Sequence, residues 1–513
     1  MSQERPAEED GSRRRPRRAR RVLIAVVGTL IVALLGAGGV LGYARYRYDQ
    51  IHKVDIGSTA FSPTGTMNIL LAGDNCRACL NGKQSNAFGT GAEVGGGRSD
   101  VTMVLHLDLS TGKAALLSIP RDLFLPLPGT DRANRIDAAL NSGPKALVAQ
   151  IEDDLGIPID HYLAVNFDTF QSIVDDLGGI DMYFADPVKD AQSALNVATT
   201  GCVHLNGFQA LAVVRSRHLY YYQGGYWHYD GFGDLSRIKR DHVFLQVMAT
   251  AVEGQLTNPF KINSIMGTLA PQLEVDSGLS LPTMISLVRQ FRHLDPAGVP
   301  TYTLPIVVDP NPYYYRGANY GDVVFPDYPA DAQTVAAFLG TPVPAPSPAG
   351  VTVSVLNGTG AYNQAARTAT ALAALGYSVS GAADTTHVGT PAETTVYYAP
   401  GHRADAIGLA ARLSGLVAVG SLPTGTTAST APTAAGSSVT DPALASGAEL
   451  TVVTGTGFVV SPPPSATTTT TGRSAAKAVP ATTTTVALGA GLGAPTPAQE
   501  PAPSFDPTAC PTR

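Results

Sequence analysis

The chain has 513 residues, 35 Lys and Arg against 41 Asp and Glu, a formal net charge of -6 and 44% hydrophobic residues. That length leaves room for roughly two to four domains of about 150 residues, and the apolar content is ample for real cores. The acidic balance excludes a body held to nucleic acid by net charge, because the basic residues concentrate in RRRPRRARR, Arg13 to Arg21, while acids dominate from Asp49 onward.

In chain order, residues 1–21 form the basic tail, and Val22 to Gly42 carry no charge at all. Such a run, rising about 1.5 Å per residue, crosses a hydrocarbon core of roughly 30 Å, and it exceeds the roughly 7–15 apolar residues of a cleaved signal peptide. It predicts one transmembrane helix over 22–42, with the N-terminus cytoplasmic and the body extracellular by the positive-inside rule. Chemistry outside the cell must proceed without ATP. The juxtamembrane segment 43–66 contains YARYRYDQIHKV, whose tyrosines and arginines suit a headgroup interface.

The first globular unit is expected over 67–340. Met67–Ala72 is a short apolar run typical of a buried strand, and Val101–Leu109 alternates, with Val101, Met103, Leu105, Leu107 and Leu109 on one side and Thr102, His106 and Asp108 on the other. Lys113–Ile119 is a third strand, joined to the second by a turn at Thr111-Gly112 and stopped by Pro120. Leu147, Ile151 and Leu155 recur at helical spacing before Gly156 and Pro158. His161–Phe167 as strand, Asp168–Leu177 as helix and Ile180–Phe184 as strand continue the alternation. A long helix runs from Asp234 to about Gln255, with Ile238, Leu245, Ala249 and Val252 as its apolar stripe. The pattern predicts an α/β fold, an α-β-α sandwich around a mixed central sheet.

A proline-rich linker, TPVPAPSPAG (341–350), leads to a small α/β domain over 351–460. Its elements are VTVSVLNGTG, a helix over Ala365–Leu375, TTVYYAP, a helix over Ala404–Leu413 and a closing strand in Glu449–Val460, with a low-complexity insertion near Gly420–Gly447. Residues 461–513 are rich in Thr, Pro and Ala and predict a disordered tail. An oxidising exterior permits disulfides among Cys76, Cys79 and Cys202, with Cys510 in the tail. Zinc held by Cys76, Cys79, Cys202 and His204 fits by ligand type but not by spacing.

Charge gathers at element ends in AGDNCR (Ala72–Arg77), GGGRSD (Gly95–Asp100), SIPRD (Ser118–Asp122) and the stretch from Arg215 to His242. Asp74 follows one strand and Asp100 precedes another, so neighbouring pairing would bring both to one rim. Two carboxylates with water and phosphate oxygens suit Mg²⁺, although each alone could be a turn residue. Arg98, Arg121, Arg215, Arg217, Arg237 and Arg240 are guanidinium forks able to hold phosphate bidentately. Arg121 beside Asp122 also reads as a surface ion pair, and Asp234, Arg237 and Asp241 as one charged helix face. Between the arginine groups, Tyr220–Tyr222, Tyr226, Trp227 and Tyr229 among glycines read as a loop over a ligand, or as a loop packed on its own domain.

NILLAGDNCR, GRSD, LLSIPRD, GIPIDHYLAVNFDTFQSIVDDLGGIDMYF, GCVHLNGFQALAVVRSRH and GDLSRIKRDH, in this order, resemble the LytR-CpsA-Psr family of bacterial cell-wall proteins. The resemblance spans about Asn68 to Leu339, and 351–460 is similar to the C-terminal domain of LytR-type members. It implies a membrane-anchored transferase that moves a glycopolymer, such as teichoic acid or arabinogalactan, from a polyprenyl-pyrophosphate carrier to peptidoglycan through a phosphodiester. By position, Asp74 and Asp100 would hold Mg²⁺ (or Mn²⁺), and Arg98, Arg121, Arg215, Arg217, Arg237 and Arg240 would grip the pyrophosphate. Asp122 and Asp234 would orient the arginines, making Arg121, Asp122, Asp234 and Arg237 the catalytic set, with the lipid in an apolar tunnel. RIDAAL (Arg135–Leu140) and Asp241 depart from the family pattern, and Asp241 would repel a pyrophosphate unless Arg237 or Arg240 neutralises it. The competing readings are a lipid-pyrophosphate phosphatase and a non-enzymatic envelope-binding regulator.

Overall fold

In the computed structural model, the described residues are 42–57, 62–63, 65–74, 98–255, 259–309, 311–343, 348–385, 388–389, 391–423, 447–460 and 505–511. The basic tail, the expected transmembrane run up to residue 41, Cys76 and Cys79 lie outside them. Among the described residues no helix is long and apolar enough to cross a membrane.

Seven strands form the central sheet: β1 (His52–Val54), β2 (Thr66–Asp74), β3 (Ser99–Asp108), β4 (Lys113–Ser118), β5 (His161–Asn166), β6 (Glu274–Asp276) and β7 (Thr301–Thr303), in spatial order β1-β6-β5-β2-β3-β4-β7. β2 runs parallel to β5 and antiparallel to β3, so the sheet is mixed. The alternation in β3 suggests one solvated face, but the structure covers both. Val104 is fully buried, and on its face Thr102 and His106 are buried too. They tolerate this because each finds a partner: Thr102 donates to the Ser99 hydroxyl at 2.9 Å, and His106 Nδ1 meets Asn68 Oδ1 at 2.7 Å. Helices α1 (Pro144–Gln150) and α5 (Tyr328–Leu339) cover that side, through Leu147, Val148 and Phe338.

On the other side lie α2 (Phe167–Leu177), α3 (Gly207–Arg215) and α4 (Asp234–Gln255). Their ends follow from local chemistry. Asn166 caps α2 by accepting from Thr169 N, and Gly178, at φ 93, supplies the left-handed turn that stops it. Asn206 and Gln209 form a capping box on α3. The apolar stripe expected on α4 holds only in part: Ile238 is buried and Leu245 lines an apolar cavity, but Val252 is exposed, and Phe244, Val247, Met248 and Ala251 pack in the core shared with α2 and α3. The helix crosses its neighbours so that a different face points inward in its second half.

A four-stranded sheet sits beside α3, in the order Leu195–Val197, Val188–Asp190, Tyr220–Gln223, Tyr226–Tyr229. The tyrosine-rich stretch is therefore a hairpin rather than an irregular loop. In the C-terminal unit, five strands order as Ser378–Asp384, Thr352–Asn357, Leu450–Thr454, Thr394–Tyr398, Val417–Ser421. Leu450–Thr454, the expected closing strand, takes the middle place in that sheet.

The end of the tail overturns the expectation of disorder there. Residues 505–511 dock on the first unit: Thr508 and Ala509 pair with Tyr183 and Met182, and Cys510 forms a disulfide with Cys202. Phe505 stacks on Tyr221 at 4.2 Å between centroids. Cys202 is thereby committed to Cys510 and unavailable to Cys76, Cys79 or zinc.

Candidate active site

Five element ends converge at one rim of the central sheet. The β2–β3 register sets Asp74 opposite Ser99, so Asp74 and Asp100 meet there. β4 ends at Ser118, and Pro120 stops the ladder so that Arg121 and Asp122 turn into the same space. From the helical side, α3 ends at Arg215, Arg217 follows it, and α4 begins with Asp234 and Arg237.

These groups form one network. Arg121 bonds Asp100 and lies 3.5 Å from Asp122 and 3.9 Å from Asp234. Arg217 reaches Asp122 at 3.0 Å and Asp234 at 3.2 Å. Arg237 reaches Asp234 at 3.0 Å, donates to the backbone carbonyl of Asp100 at 2.7 Å and lies 3.8 Å from Asp241. Asp122 and Asp234 each touch two or more guanidiniums, which is the geometry of orienting groups. Burial acts against the Arg121 charge, but Asp100, Asp122 and Asp234 outweigh it and hold the guanidinium more firmly protonated. Arg217 is pushed the other way, by burial and then by Arg121 beside it. Among the described residues, Nε of Arg121, Arg217 and Arg237 is buried without a hydrogen-bond partner. Each faces a carboxylate without a good hydrogen bond to it: Arg217 Nε lies 3.2 Å from Asp234, Arg121 Nε 3.5 Å from Asp122 and Arg237 Nε 3.8 Å from Asp241.

The arginines line a cavity of about 430 Å³ whose other walls are mostly apolar. Leu71, Met103, Leu163 and Val165 supply the sheet side; Phe170, Leu211, Phe244, Leu245 and Met248 supply the helical side. Arg215 lines it as well, its guanidinium 4.5 Å from the Phe167 ring centroid. Arg98 stands 3.7 Å from Asp137, a buried carboxyl raised by that burial against the pull of Arg98.

Arg240 is a correction. It is fully buried away from the cavity, donating to Asp506 at 2.7 Å and to the Ser216 carbonyl at 2.6 Å, with Asp230 at 3.4 Å. Three residues along a helix turn the side chain through roughly 60° relative to Arg237, enough to send it to the far side of the Arg215–Arg217 segment. Asp234 sits in the first turn of α4 after Gly233, at φ 53, rather than in the cap position itself.

The sequence offered no motif for Asp190. Its buried carboxylate accepts from Ser216 Oγ at 2.8 Å, Arg217 N at 3.0 Å and His218 N at 2.9 Å, locking the backbone that presents Arg217. Asp137 and Asp506 escaped notice for the same reason: each meets its arginine only through the fold. Arg135, read as a departure, lies 3.4 Å from Asp122 and adds a cation to the network.

Asp241 resolves its own difficulty by staying protonated. Burial pushes its carboxyl up to about 8, against Arg237 and Arg240 and with help from Asp234 and Asp100, and neither oxygen has a hydrogen-bond partner among the described residues. The folded state therefore holds a proton that the unfolded chain releases from about pH 4 upward, so stability declines as pH rises toward 8. The slope is at most about 1.4 kcal/mol per pH unit. Asp241→Asn is expected to flatten that slope in denaturant titrations. It should also abolish a several-fold weakening of anionic-lipid binding above pH 8, which the ionised carboxylate imposes on the wild type. A variant with the unaltered pH profile would refute the assignment.

Asp74 behaves differently. Its carboxyl is pushed up to about 6, by burial first and then by Glu274 and Asp100, and Oδ1 is buried without a hydrogen-bond partner among the described residues. An orphaned oxygen beside a second carboxylate fits a divalent cation, which would reverse the repulsion. Among the described residues no group of three or more His, Cys, Asp or Glu is placed to hold a metal.

Residues 43–323 match the sequence profile described as the LytR_cpsA_psr family, and residues 350–458 match that described as the LytR cell envelope-related transcriptional attenuator. The probable cell wall biosynthesis protein LcpB of Corynebacterium glutamicum is 31% identical over 304 residues, 58% of this chain and 68% of that protein. The polyisoprenyl-teichoic acid–peptidoglycan teichoic acid transferase TagV of Bacillus subtilis is 32% identical over 201 residues, 37% of this chain and 49% of that relative's length. Among solved structures, a LytR-Csp2A-Psr enzyme from Actinomyces oris aligns at 26% identity over 57% of this chain and 96% of that one, with a TM-score of 0.45.

Proposed function

The chain belongs to the LytR_cpsA_psr family, and on that premise we propose that it is a phosphotransferase moving a glycopolymer from a polyprenyl-pyrophosphate carrier to peptidoglycan. The observation that carries this reading is that a guanidinium cluster and a set of apolar side chains line one cavity. A ligand that fits both has a doubly charged head and a long hydrocarbon tail, which is the chemistry of the carrier. The relatives named as teichoic acid transferases support the same reading.

Arg121, Arg217 and Arg237, with Arg98 and Arg215 beside them, would hold the pyrophosphate oxygens, while the isoprenoid lies against Phe170, Leu211 and Phe244. A hydroxyl of a peptidoglycan sugar attacks the phosphorus that bears the glycan. The bond to the bridging oxygen breaks, the polyprenyl phosphate departs, and the hydroxyl proton ends on that phosphate or on solvent. Phosphoryl transfer needs positioning and neutralised oxygens more than covalent help, so arginines fixed by Asp100, Asp122 and Asp234 suffice as the machinery. The pyrophosphate bond is the energy source, and no nucleotide is required. A Mg²⁺ (or Mn²⁺) held by Asp74 and Asp100 would neutralise further phosphate charge.

Our reading places residues 1–21 in the cytoplasm, 22–42 across the membrane and the catalytic body outside, where carrier and acceptor meet. Full-length protein in detergent, given lipid-linked glycan and peptidoglycan, should yield glycan attached through a phosphodiester. Release of free phosphorylated glycan with none attached would make it a phosphatase instead. Metal binding has its own test: Mg²⁺ is expected to raise the thermal midpoint of the wild type by a few degrees and to leave Asp74→Asn unmoved. Equal shifts in both proteins would remove Asp74 from the site.

A further inference from the structure

We infer that the outer face of the small four-stranded sheet is a carbohydrate-binding platform for the acceptor glycan strand. The inference deepens the transferase reading and rests on it for the identity of the ligand. In an antiparallel sheet with one face on a core, outward positions are normally polar. Here the register puts aromatic rings there. Tyr220 lies opposite Tyr229 and Tyr222 opposite Trp227, so all four share a face. Each is substantially exposed, at 40%, 50%, 40% and 38% respectively.

The same register carries the row across the sheet, because Tyr220 also faces Lys189 and Lys189 faces Asn196. Asn196, Lys189, Tyr220 and Tyr229 thus form one line across four strands, about 14 Å long at the usual strand spacing, with Tyr222 and Trp227 as a second row beside it. Lys189 Nζ sits 3.9 Å from the Trp227 ring centroid. The rings are inclined to one another, Tyr220 and Tyr229 by 45° and Tyr222 and Trp227 by 60°, and with an amide and an ammonium beside them they match a polysaccharide, whose sugar faces are apolar C–H surfaces and whose edges are hydroxyls.

The inner face explains why the platform is rigid and why it belongs to the active site. Val188, Leu195 and Val197 are buried in the core of this unit, and Tyr221 stacks between His228 and Phe505. Asp190, next to Lys189 but pointing inward, binds the backbone of Arg217 and His218. At the hairpin base, Asp230 N donates to the Leu219 carbonyl at 2.9 Å, and the Asp230 carboxylate accepts from Ser236 of α4 at 3.0 Å. These bonds tie the platform directly to the segment that presents Arg217 and to the first turn of α4.

The occupant is the acceptor rather than the donor glycan. The donor is already held by its lipid in the cavity and its pyrophosphate on the arginines, whereas the acceptor has only its glycan by which to be positioned, and a transfer step needs its hydroxyl in place.

Trp227 is the only tryptophan in the chain, so its emission reports the platform directly. The full chain in detergent is titrated with soluble glycan strands freed of peptide from purified peptidoglycan. The emission is expected to shift and saturate. Trp227→Ala/Tyr229→Ala should lose roughly tenfold in sedimentation with intact peptidoglycan and raise the acceptor KM by about the same factor, with kcat and the donor KM unchanged. Trp227→Phe, which keeps a ring, should recover most of the binding, and unchanged thermal midpoints exclude a folding defect. No emission change together with an unchanged acceptor KM overturns the inference, and so does a rise confined to the donor KM. If wild-type protein shows the emission change and peptidoglycan binding but transfers no glycan, the platform stands and the transferase reading fails.

Discussion

Arg121→Ala is expected to reduce glycopolymer transfer by roughly 10²–10³-fold, the usual cost of losing a preorganised group that stabilises charge in the transition state. The expectation rests on how many partners this one side chain serves. It bonds Asp100 and stands between Asp122 and Asp234, so its removal takes a cation from the phosphate and leaves three carboxylates facing each other. Asp122 and Asp234 also fix Arg217, and their release would loosen a second guanidinium. Arg121→Lys keeps the charge but loses the fork, and should recover only part of the rate. The check is the rate of attachment of labelled lipid-linked glycan, with thermal midpoints measured alongside. Transfer within threefold of wild type in a folded Arg121→Ala protein would remove Arg121 from the machinery.

Cys202→Ser is expected to carry the largest loss of stability, roughly 2–5 kcal/mol. The bridge closes a loop between positions 308 apart in sequence, and in the chain-entropy account long loops restrict the unfolded state most. What then remains to hold the docked segment includes the Phe505 ring against Tyr221, a two-residue strand pairing and the Asp506–Arg240 ion pair. The thermal midpoint should fall by several degrees, reductant should reproduce the fall in wild type, and reductant should do nothing further to the variant. Identical midpoints in wild type and variant would show the strap to be dispensable.

Much of the fold was legible because its signals are local. The alternation of Val101–Leu109, the stop at Pro120, the glycines at 156 and 178, and the charge-opened helix from Asp234 to Gln255 all depend on neighbours within a few positions. The apolar stripe of α4 fails at Val252, because a helix of this length can turn more than one face inward, and which one depends on its crossing partners. Motif spacing likewise brought Asp74 with Asp100, and Arg121 with Arg217 and Arg237, under consideration as one group.

The amino-acid order by itself determined the mixed α/β class and the residue types able to bind phosphate, since periodicity, caps and guanidinium chemistry are properties of short stretches. Only the tertiary structure decided which charges meet. It sent Arg240 away from the cavity to Asp506, 266 positions along the chain, and set the backbone of Arg217 on Asp190. It also joined Cys202 to Cys510 and raised the Asp241 carboxyl until it is neutral near pH 7. Burial and long-range pairing depend on every element packed around a group, and no local pattern in a sequence carries that information.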